Sequence, residues 1–562
     1  MTVVSQKILC YTIFIGQDLR YTAQGGRMKL YSSLRKIFIA FGVVMMVVVL
    51  GLVSGQQVFA ASDISSSYGS GKHTIRENST WRYEILSDGT VRIVGYKKNA
   101  TTVSIPSKIS GRKVTKIGGL YLKVKDGLGF TEKQYSIFYG KKTKTVKIPK
   151  YVDSIENKAF QKSTVSKVTF ASGSKLTKIG DYAFEGSKLT SISLPKKLTS
   201  IGKYSFSGTS IKKITVPDSV TKISEGAFSK CKKLTNVKLS ASLKKINNKL
   251  FMECVKLTKI SIPTKVTSIG DYAFSATAFE WIYIPPKVKT IGESAFAYNL
   301  KLKGIEIPAN VKTIGAKAYE GCTSLKAAEI AGTSTEIGKS AFSDTALSYF
   351  SVGSKVKKIN EYTFAYDTKL KSVDLGESLT TIKYKAFYNC TNLKTISFPA
   401  KLRVVDGTAF DGTAWYKKKS NGLVYAGTVA YDYKGKNPTK ISIKSGTLGI
   451  ATMAFTDCTG IKKIVLPDGL KTIGAGAFLS NKASVKKVTV PASVTSIGKM
   501  ALGYKLCTYD EEKIKSGTIF KMSSPYSKIA GKKIEGFTIV GKSGSAAEKY
   551  AKENGFIFER VK

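Results

Sequence analysis

Apolar and polar residues alternate in short segments along most of the chain, and the alternation returns at a nearly constant interval. Residues 189–208 read LTSISLPKKLTSIGKYSFSG, and nearly the same text returns from Leu257 as LTKISIPTKVTSIGDYAFSAT. The I-x-I pair in each repeat predicts a short strand whose two apolar side chains point inward. The following proline ends that strand because it donates no ladder hydrogen bond. The sequence therefore consists largely of one supersecondary unit that is repeated many times.

Two columns align when about fifteen repeats are superimposed. The first column is the proline position, which recurs every 22 to 24 residues except for one step of 45 residues. The second column is aromatic, and we expect each ring to fill the interior and stack on the ring of the next repeat. The aromatic column contains Phe160, Phe184, Phe206, Phe228, Phe251, Phe274, Phe296, Tyr319, Phe342, Phe364, Phe387, Phe410, Phe455, Phe478 and Leu502.

A single repeat cannot fold alone, because the few apolar side chains it buries do not offset the entropy lost on ordering its backbone. Stacked repeats solve this by closing each other's hydrogen bonds and sharing one interior. The sequence therefore predicts a β-rich solenoid of about 15 repeats with a parallel strand ladder, capped at both ends.

Periods of 20–29 residues with an L-x-x-L-x-L core are typical of leucine-rich repeats. The variant here, with IP, IG and AF at fixed offsets, closely resembles the BspA-like leucine-rich-repeat surface proteins of bacteria. The resemblance runs from about Trp81 to the last residue. It implies a secreted or surface-displayed protein that takes part in adhesion to host proteins or to other cells.

The N-terminal residues are typical of an export signal. Basic residues precede a continuous apolar run at 37–53, and small residues follow around Ala60. We predict a signal peptide over residues 28–60, cleaved after Ala60, with Met28 as the true start and residues 1–27 as a mis-called upstream extension. An uncleaved membrane anchor is the alternative, because the apolar run is long for a signal peptide.

The remaining organisation follows from where the repeat pattern starts, stops and is interrupted. Near the start, WRYEILSDGTVRIVGY predicts a hairpin that turns at Asp88-Gly89. Near the end, a helix is predicted between an N-cap at Ser545 and Gly555, followed by a last strand. The predicted segments are a flexible leader (61–80), an N-terminal hairpin cap (81–105), the repeat array (106–505), two insertions within it (120–144 and 411–438) and a C-terminal cap (506–562).

Composition argues against catalysis. The chain has one histidine, His73, which lies in the predicted leader. This scarcity of histidine excludes most histidine-dependent catalytic triads, acid–base pairs and metal sites. The acidic residues form no recognisable paired-carboxylate motif, and no glycine-rich phosphate loop is present. We therefore predict a non-enzymatic protein with no catalytic residue, cofactor or metal. Carboxylates from different repeats can still converge, so a carbohydrate-active enzyme stays as the least favoured alternative.

Five of the seven cysteines share one position, three residues after the aromatic column. Other repeats place serine, threonine or asparagine there, so the position selects a small residue and we expect buried free thiols. Cys231 and Cys254 lie in adjacent repeats and are near enough for a disulfide to stay open as an alternative. The five are Cys231, Cys254, Cys322, Cys390 and Cys458.

The outward positions of the I-x-I strand provide the candidate binding residues, because they line one open sheet face. Trp281 and Tyr283 lie together in one repeat, between a basic stretch and an acidic one, which is typical of a partner hot spot; solvated sheet residues are the plain alternative. The candidate face comprises Lys213, Lys238, Lys259, Trp281, Tyr283, Glu306, Glu329, Tyr349 and Asp374, with Lys147 and Lys167 before it and Lys440, Lys463 and Lys487 after it.

The second insertion carries aromatic residues interleaved with lysine, a composition that can stack on sugars or bases. A hairpin that packs its own aromatic residues is the alternative interpretation. The candidates are Trp415, Tyr416, Tyr425, Tyr431 and Tyr433.

The chain is strongly basic, with 90 Lys+Arg against 38 Asp+Glu and a formal net charge of +52. Such a surface attracts polyanions in a salt-dependent and largely unspecific way. Two functions follow from the sequence: an adhesin or interaction scaffold for an extracellular protein or glycan (host matrix or mucin), or a structural protein held by charge on anionic wall polymers. Nucleic acid would bind only non-specifically, and a membrane would be contacted only through the signal segment.

Overall fold

The computed structural model describes residues 75–126, 129–480 and 484–561, with side chains described outside 120–133. The predicted signal segment and His73 lie outside the described residues. The described residues form a solenoid of stacked repeats joined by parallel strands, so the predicted fold class is confirmed. Strands are numbered β1–β44 and helices α1–α3 in chain order.

The I-x-I segments form the first ladder, in which paired strands of successive repeats are parallel and the pairing is divided among several sheets. The register joins equivalent positions, as in Ile214 beside Val237 and Val237 beside Ile260. The first ladder contains β4(Thr102–Ser104), β9(Thr145–Ile148), β11(Lys167–Phe170), β13(Ser191–Ile192), β15(Lys213–Thr215), β17(Asn236–Lys238), β19(Lys259–Ser261), β22(Gly304–Ile307), β24(Ala327–Ile330), β26(Tyr349–Ser351), β28(Ser372–Asp374), β30(Thr395–Ser397), β34(Lys440–Ser442), β36(Lys463–Val465), β38(Lys487–Thr489), β43(Thr538–Gly541) and β44(Ile557–Arg560).

The residue pair before each I-G glycine forms the second ladder, which is also parallel. Its isoleucines line up through successive repeats, as in Ile155 beside Ile179 and Ile179 beside Ile201. The second ladder contains β6(Arg112–Ile117), β10(Ser154–Ile155), β12(Lys178–Ile179), β14(Ser200–Ile201), β16(Lys222–Ile223), β18(Lys245–Ile246), β20(Ser268–Ile269), β21(Thr290–Ile291), β23(Thr313–Ile314), β25(Glu336–Ile337), β27(Lys358–Ile359), β29(Thr381–Ile382), β31(Val404–Val405), β33(Val429–Lys434), β35(Gly449–Ile450), β37(Thr472–Ile473) and β39(Ser496–Ile497).

The glycine of I-G is needed because two backbones approach closely. A Cβ on Gly202 would lie 2.4 Å from the carbonyl carbon of Gly180 in the preceding repeat, and Gly202 has no positive φ. The sequence suggests that this glycine permits a turn. The structure instead shows that it removes a side chain for which there is no room.

The aromatic segment of each repeat forms a third set of contacts through turns. Phe160 donates its N–H to the carbonyl of Ala183 at 2.6 Å, and Phe184 donates to Ser205 at 2.7 Å. The residues two before and two after the ring have positive φ, as in Lys158 (58°) and Lys162 (52°). This conformation directs alternate N–H groups toward the next repeat.

The aromatic column stacks as predicted from Phe160 to Phe410, whereas Tyr431 meets Phe410 edge-on and the rings of Phe455 and Phe478 are tilted by 36°. Phe184 and Phe206, for example, have ring centroids 5.2 Å apart and planes within 6° of parallel. The stack begins one repeat earlier than the aligned column, at Phe138, whose ring lies 5.7 Å from that of Phe160. Of the stretch 120–144, β7(Leu120–Asp126) and β8(Gly129–Tyr135) form an antiparallel hairpin, whereas Phe138 belongs to the core.

The start of the array is an antiparallel arrangement of β1(Ile75–Glu77), β2(Trp81–Ile85) and β3(Val91–Tyr96), with β5(Lys108–Ile109) paired to β6. Arg92 joins this arrangement to the repeats, because its guanidinium contacts Glu84 of β2 and Glu156 at 3.2 Å. β3 then pairs in parallel with β6 and so begins the second ladder.

The end of the array is less simple than a separate cap. After Leu502 the chain forms an antiparallel sheet of β40(Tyr504–Cys507), β41(Phe520–Lys521) and β42(Ala530–Lys533), with helix α2(Glu511–Lys515). It then re-enters the first ladder as β43, and β44 follows after helix α3(Ala546–Asn554). Tyr550 of α3 covers the last aromatic position, because its hydroxyl donates to the Leu502 carbonyl at 2.9 Å.

Candidate functional site

The register of the first ladder divides its outward residues into two columns. The outer column is the position that precedes the I-x-I pair, where Lys213, Asn236 and Lys259 are adjacent. The inner column is the position between the two inward residues, where Lys238 lies beside Ser261. Both columns are exposed in this region, so they form one surface whose side chains are spaced by the strand ladder.

All nine residues of the candidate face lie on this surface. Eight of them are exposed, and Asp374 is half-buried, where it accepts a hydrogen bond from the Gly376 N–H at 3.2 Å. The outer column holds Lys213, Lys259, Trp281 and Tyr349; the inner column holds Lys238, Tyr283, Glu306, Glu329 and Asp374.

The repeat that carries Trp281 and Tyr283 interrupts the first ladder. Residues 281–284 form no strand, although β19 precedes them and β22 follows them. Across the described residues, no backbone hydrogen bond joins residues 281–284 to either neighbouring repeat. The second ladder continues past this point, since Ser268 of β20 pairs with Thr290 of β21. The interruption at this repeat therefore affects the candidate face and leaves the second ladder intact.

Trp281 leans toward the following repeat. A Cβ on Gly304 would lie 2.3 Å from Cζ3 of Trp281, so the indole ring lies directly over that glycine. The ring is nevertheless 65% exposed, and Tyr283 is 67% exposed. Because the ring leans toward Gly304, space opens on its other side, between it and Lys259.

That space is an open groove of ≈ 420 Å³. Ile260 and Ile282 are half-buried beneath it, and the two aromatic rings form one wall. The opposite wall is polar. The groove is lined by Asn236, Val237, Lys238, Thr258, Lys259, Ile260, Ser261, Trp281, Ile282 and Tyr283.

The groove has a positive side. Among the described residues, no ion pair or side-chain hydrogen bond includes Lys238 or Lys259. Glu280, which precedes Trp281 in the sequence, forms an ion pair with Lys303 at 2.7 Å. The hydrogen bond from that lysine lowers the pKa of Glu280. The two unpaired ammonium groups are thus available to a ligand.

Beyond Trp281 the charge changes sign. Glu306 of β22 lies directly beside Glu329 of β24, and both side chains are exposed. Like charges at directly opposed positions are unfavourable in a sheet. This pair adds nothing to the stability of the ladder and leaves a negative patch next to the aromatic residues.

The aromatic residues of the second insertion pack mainly against the protein itself. Trp415, in helix α1(Ala414–Lys417), and Tyr431, in β33, are buried, and the Tyr431 hydroxyl accepts a hydrogen bond from the Phe410 N–H. Tyr416, Tyr425 and Tyr433 are half-buried. β33 pairs with β32(Gly422–Ala426) and also lies parallel to β35, so this hairpin supplies a strand to the second ladder.

Two carboxylates near this hairpin are partly buried, and hydrogen bonds hold that of Asp432. Burial raises the pKa of Asp411 to about 6, and the nearby Asp432 adds to that shift. Asp432 accepts hydrogen bonds from the Tyr416 hydroxyl and from the Tyr433 N–H. Within the described residues, no group of three or more potential metal ligands is present.

The cysteine position is structural. The five predicted cysteines are buried free thiols, including Cys231 and Cys254. Cys254 donates to the carbonyl of Phe228 at 3.0 Å, and Cys322 donates to that of Phe296 at 3.2 Å. The position therefore satisfies a carbonyl of the preceding repeat.

Sequence reasoning did not identify the polar wall of the groove or Gly304. Asn236 and Ser261 are ordinary strand residues and Thr258 directly precedes β19, and their role depends on the gap next to them. Gly304 does carry a signal, since most other repeats place a side chain at that column. A glycine beside an exposed tryptophan is the pattern that marks this contact.

Comparison with known proteins identifies the repeat type. A family model described as "BspA type Leucine rich repeat region" matches in six copies, over residues 131–210, 177–303, 289–415 and 428–516. A comparison with curated proteins found no significant match. None of the helices in the described part of the chain has the length and apolar character needed to cross a bilayer.

Three solved structures are among those that this chain matches. A leucine-rich repeat protein from Bacteroides ovatus is 24% identical, with 76% of this chain and 95% of that chain covered and a TM-score of 0.48. A leucine rich cell surface protein from Faecalibacterium prausnitzii is 21% identical, with 77% and 96% covered and a TM-score of 0.36. The pneumococcal vaccine antigen PcpA is 18% identical, with 87% and 99% covered and a TM-score of 0.28.

Proposed function

Because this chain belongs to the family of BspA-type leucine-rich-repeat proteins, we propose that it is an exported, non-enzymatic protein of the cell surface that binds an extracellular protein or glycan. The observation that carries this proposal is the groove at Trp281 and Tyr283. Two large aromatic side chains there are mostly exposed, on the sheet face that β17 and β19 also line.

The framework of the repeat favours binding. The second ladder is continuous through the repeat that carries the two aromatic residues, so the repeat as a whole does not have to reorder when a partner docks. Exposed aromatic residues that are grouped and rimmed by charge are the usual anchors of an interface. The lysines of β17 and β19 on one side and the glutamates of β22 and β24 on the other supply that rim.

Export and surface display are part of the proposal. The N-terminal sequence has the three regions of a signal peptide, with cleavage expected after Ala60. The high positive charge fits a location next to anionic wall polymers. N-terminal sequencing of the secreted protein tests cleavage, and a mature protein that begins at Ala61 is expected.

The second candidate is a structural protein of the envelope held by charge alone, and the net charge of +52 favours it. Salt separates the two functions. Above about 0.5 M NaCl the screening length falls below about 5 Å, so a purely ionic attachment is released. Binding through aromatic contacts persists.

The experiment measures binding of the purified protein to matrix and mucin fractions in about 0.5 M NaCl. Trp281→Ala combined with Tyr283→Ala should abolish most of the binding without changing the melting temperature. Tyr349→Ala is the matched control, because Tyr349 is 53% exposed on the same face and lies outside the groove. Binding that survives the double substitution, or that salt removes equally from every variant, would contradict the proposal.

A further inference from the structure

We propose that the groove beside Trp281 and Tyr283 binds an acidic oligosaccharide, in which carboxylate-bearing sugar rings lie against the aromatic side chains. This inference rests on the proposed function and specifies its ligand. It follows from three features of the groove: exposed ring faces, short polar side chains and unpaired lysines.

The ring faces fit a sugar. Trp281 and Tyr283 are separated by one residue and are about equally exposed, so together they offer two adjacent aromatic surfaces. The apolar C–H face of a pyranose packs on such aromatic rings, and the polar N–H of tryptophan and O–H of tyrosine stay near solvent. Two neighbouring rings suit a chain of at least two sugar residues.

The polar wall fits the sugar hydroxyls. Asn236, Thr258 and Ser261 present short side chains that both donate and accept hydrogen bonds. The backbone of residues 281–284 adds to them, because none of its N–H and C=O groups bonds to a neighbouring repeat across the described residues. An apolar side chain of a peptide would contact only the half-buried Ile260 and Ile282 at the base of the groove, which do not form a deep apolar pocket.

The charge of the groove lining, which contains two lysines and no carboxylate among its described residues, selects an acidic sugar over a neutral one. Lys259 precedes Trp281 in the outer column, and Lys238 lies in the inner column with Tyr283. Neither lysine takes part in an ion pair of the described residues, and Glu280 is already paired with Lys303. Carboxylates on the ligand would meet two ammonium groups that the protein has left without partners.

Titration calorimetry with oligogalacturonate and with its neutral methyl ester provides the test. The acid is expected to bind and the ester to bind more weakly. Trp281→Ala with Tyr283→Ala should weaken binding of the acid about tenfold or more. Lys238→Gln with Lys259→Gln should remove the preference for the acid and leave weak binding of both ligands.

The matched control is Lys147→Gln with Lys463→Gln, which removes two lysines from the same columns outside the groove. This variant should bind like the unmodified protein in about 0.5 M NaCl. Bound acid should also protect Trp281 from acrylamide quenching, a direct signal because Trp81 and Trp415 are buried.

If substitution of the groove lysines and of the control lysines lowered the affinity for the acid equally, the inference would be overturned in favour of diffuse charge binding. Absence of binding to both ligands would overturn it as well. If an extracellular protein then still required Trp281 and Tyr283, the proposed function would stand with a protein partner. If no partner required them, both proposals would fail.

Discussion

Tyr319 stacks on Phe296 with ring centroids 5.3 Å apart and planes within 1° of parallel, although its hydroxyl group has no hydrogen-bond partner among the described residues. The side chain is fully buried, and burial raises the pKa of Tyr319 well above its usual value. Tyrosine therefore occupies a position that neighbouring repeats fill with phenylalanine, at the cost of one desolvated hydroxyl.

Tyr319→Phe should stabilise the protein by about 1 kcal/mol, because it removes that hydroxyl and keeps the stacked ring. Chemical denaturation measures the change. Tyr431→Phe is the matched control: its hydroxyl accepts the Phe410 N–H at 3.1 Å, so its loss should destabilise by about 1 kcal/mol. Changes of the same sign in both variants would contradict this account.

Asp367 should make stability depend on pH. It is fully buried in the position that holds cysteine in other repeats; Oδ1 accepts two hydrogen bonds from Thr345, and Oδ2 has no partner among the described residues. Burial raises the pKa of Asp367 well above its usual value. Between the unfolded and folded pKa the native state binds the extra proton, so stability falls as pH rises through that window.

Asp367→Asn should therefore stabilise the protein at neutral pH, and the gain should shrink toward pH 4 by about 1.4 kcal/mol per pH unit within the window. Asn299 shows that this position accepts an amide, since its Nδ2 donates to the carbonyls of Phe274 and Phe296 at 2.8 and 2.7 Å. The reciprocal Asn299→Asp should introduce the same pH dependence. The test measures the free energy of unfolding from pH 4 to 8 for the unmodified protein and both variants. The same pH dependence in all three proteins would contradict the role assigned to Asp367.

Lys162 has a left-handed backbone with φ of 52°, at a column that Gly186 and Gly208 occupy in the next two repeats. A side chain costs about 1 kcal/mol in that conformation. Lys162→Gly should raise the free energy of unfolding by up to about that amount, as measured by thermal or chemical denaturation. Lys188→Gly, at an exposed position without positive φ, should instead destabilise by about 0.5–1 kcal/mol.

Gly304→Ala tests whether the position of Trp281 depends on the missing side chain. The new methyl group would overlap the indole ring, so the ring should shift toward the groove and groove-dependent binding should fall several-fold. Acrylamide quenching of Trp281 should change at the same time. Gly460→Ala is the control, because a Cβ there would meet its nearest neighbour at an ordinary 3.4 Å. Unchanged binding by Gly304→Ala would show that the groove does not depend on this contact.

Much of the architecture could be predicted from the sequence. The I-x-I alternation and the aromatic column are local patterns, and they identified the inward side chains, the ring stack and the buried cysteine position before any contact was known. The exposure of Trp281 and Tyr283 followed from the same alternation. These features could be predicted from the sequence because each depends on residues within one repeat.

The contacts between repeats were decided by the tertiary structure. The loss of pairing at residues 281–284, the indole ring over Gly304 and the polar wall of the groove all join residues about 22 to 45 positions apart. The same is true of the I-G glycine, which is required because a neighbouring backbone leaves no room for a Cβ. The sequence alone determined what each repeat is, since periodicity is local; only the folded stack decided where two repeats separate to form a groove, since that depends on how neighbouring side chains pack.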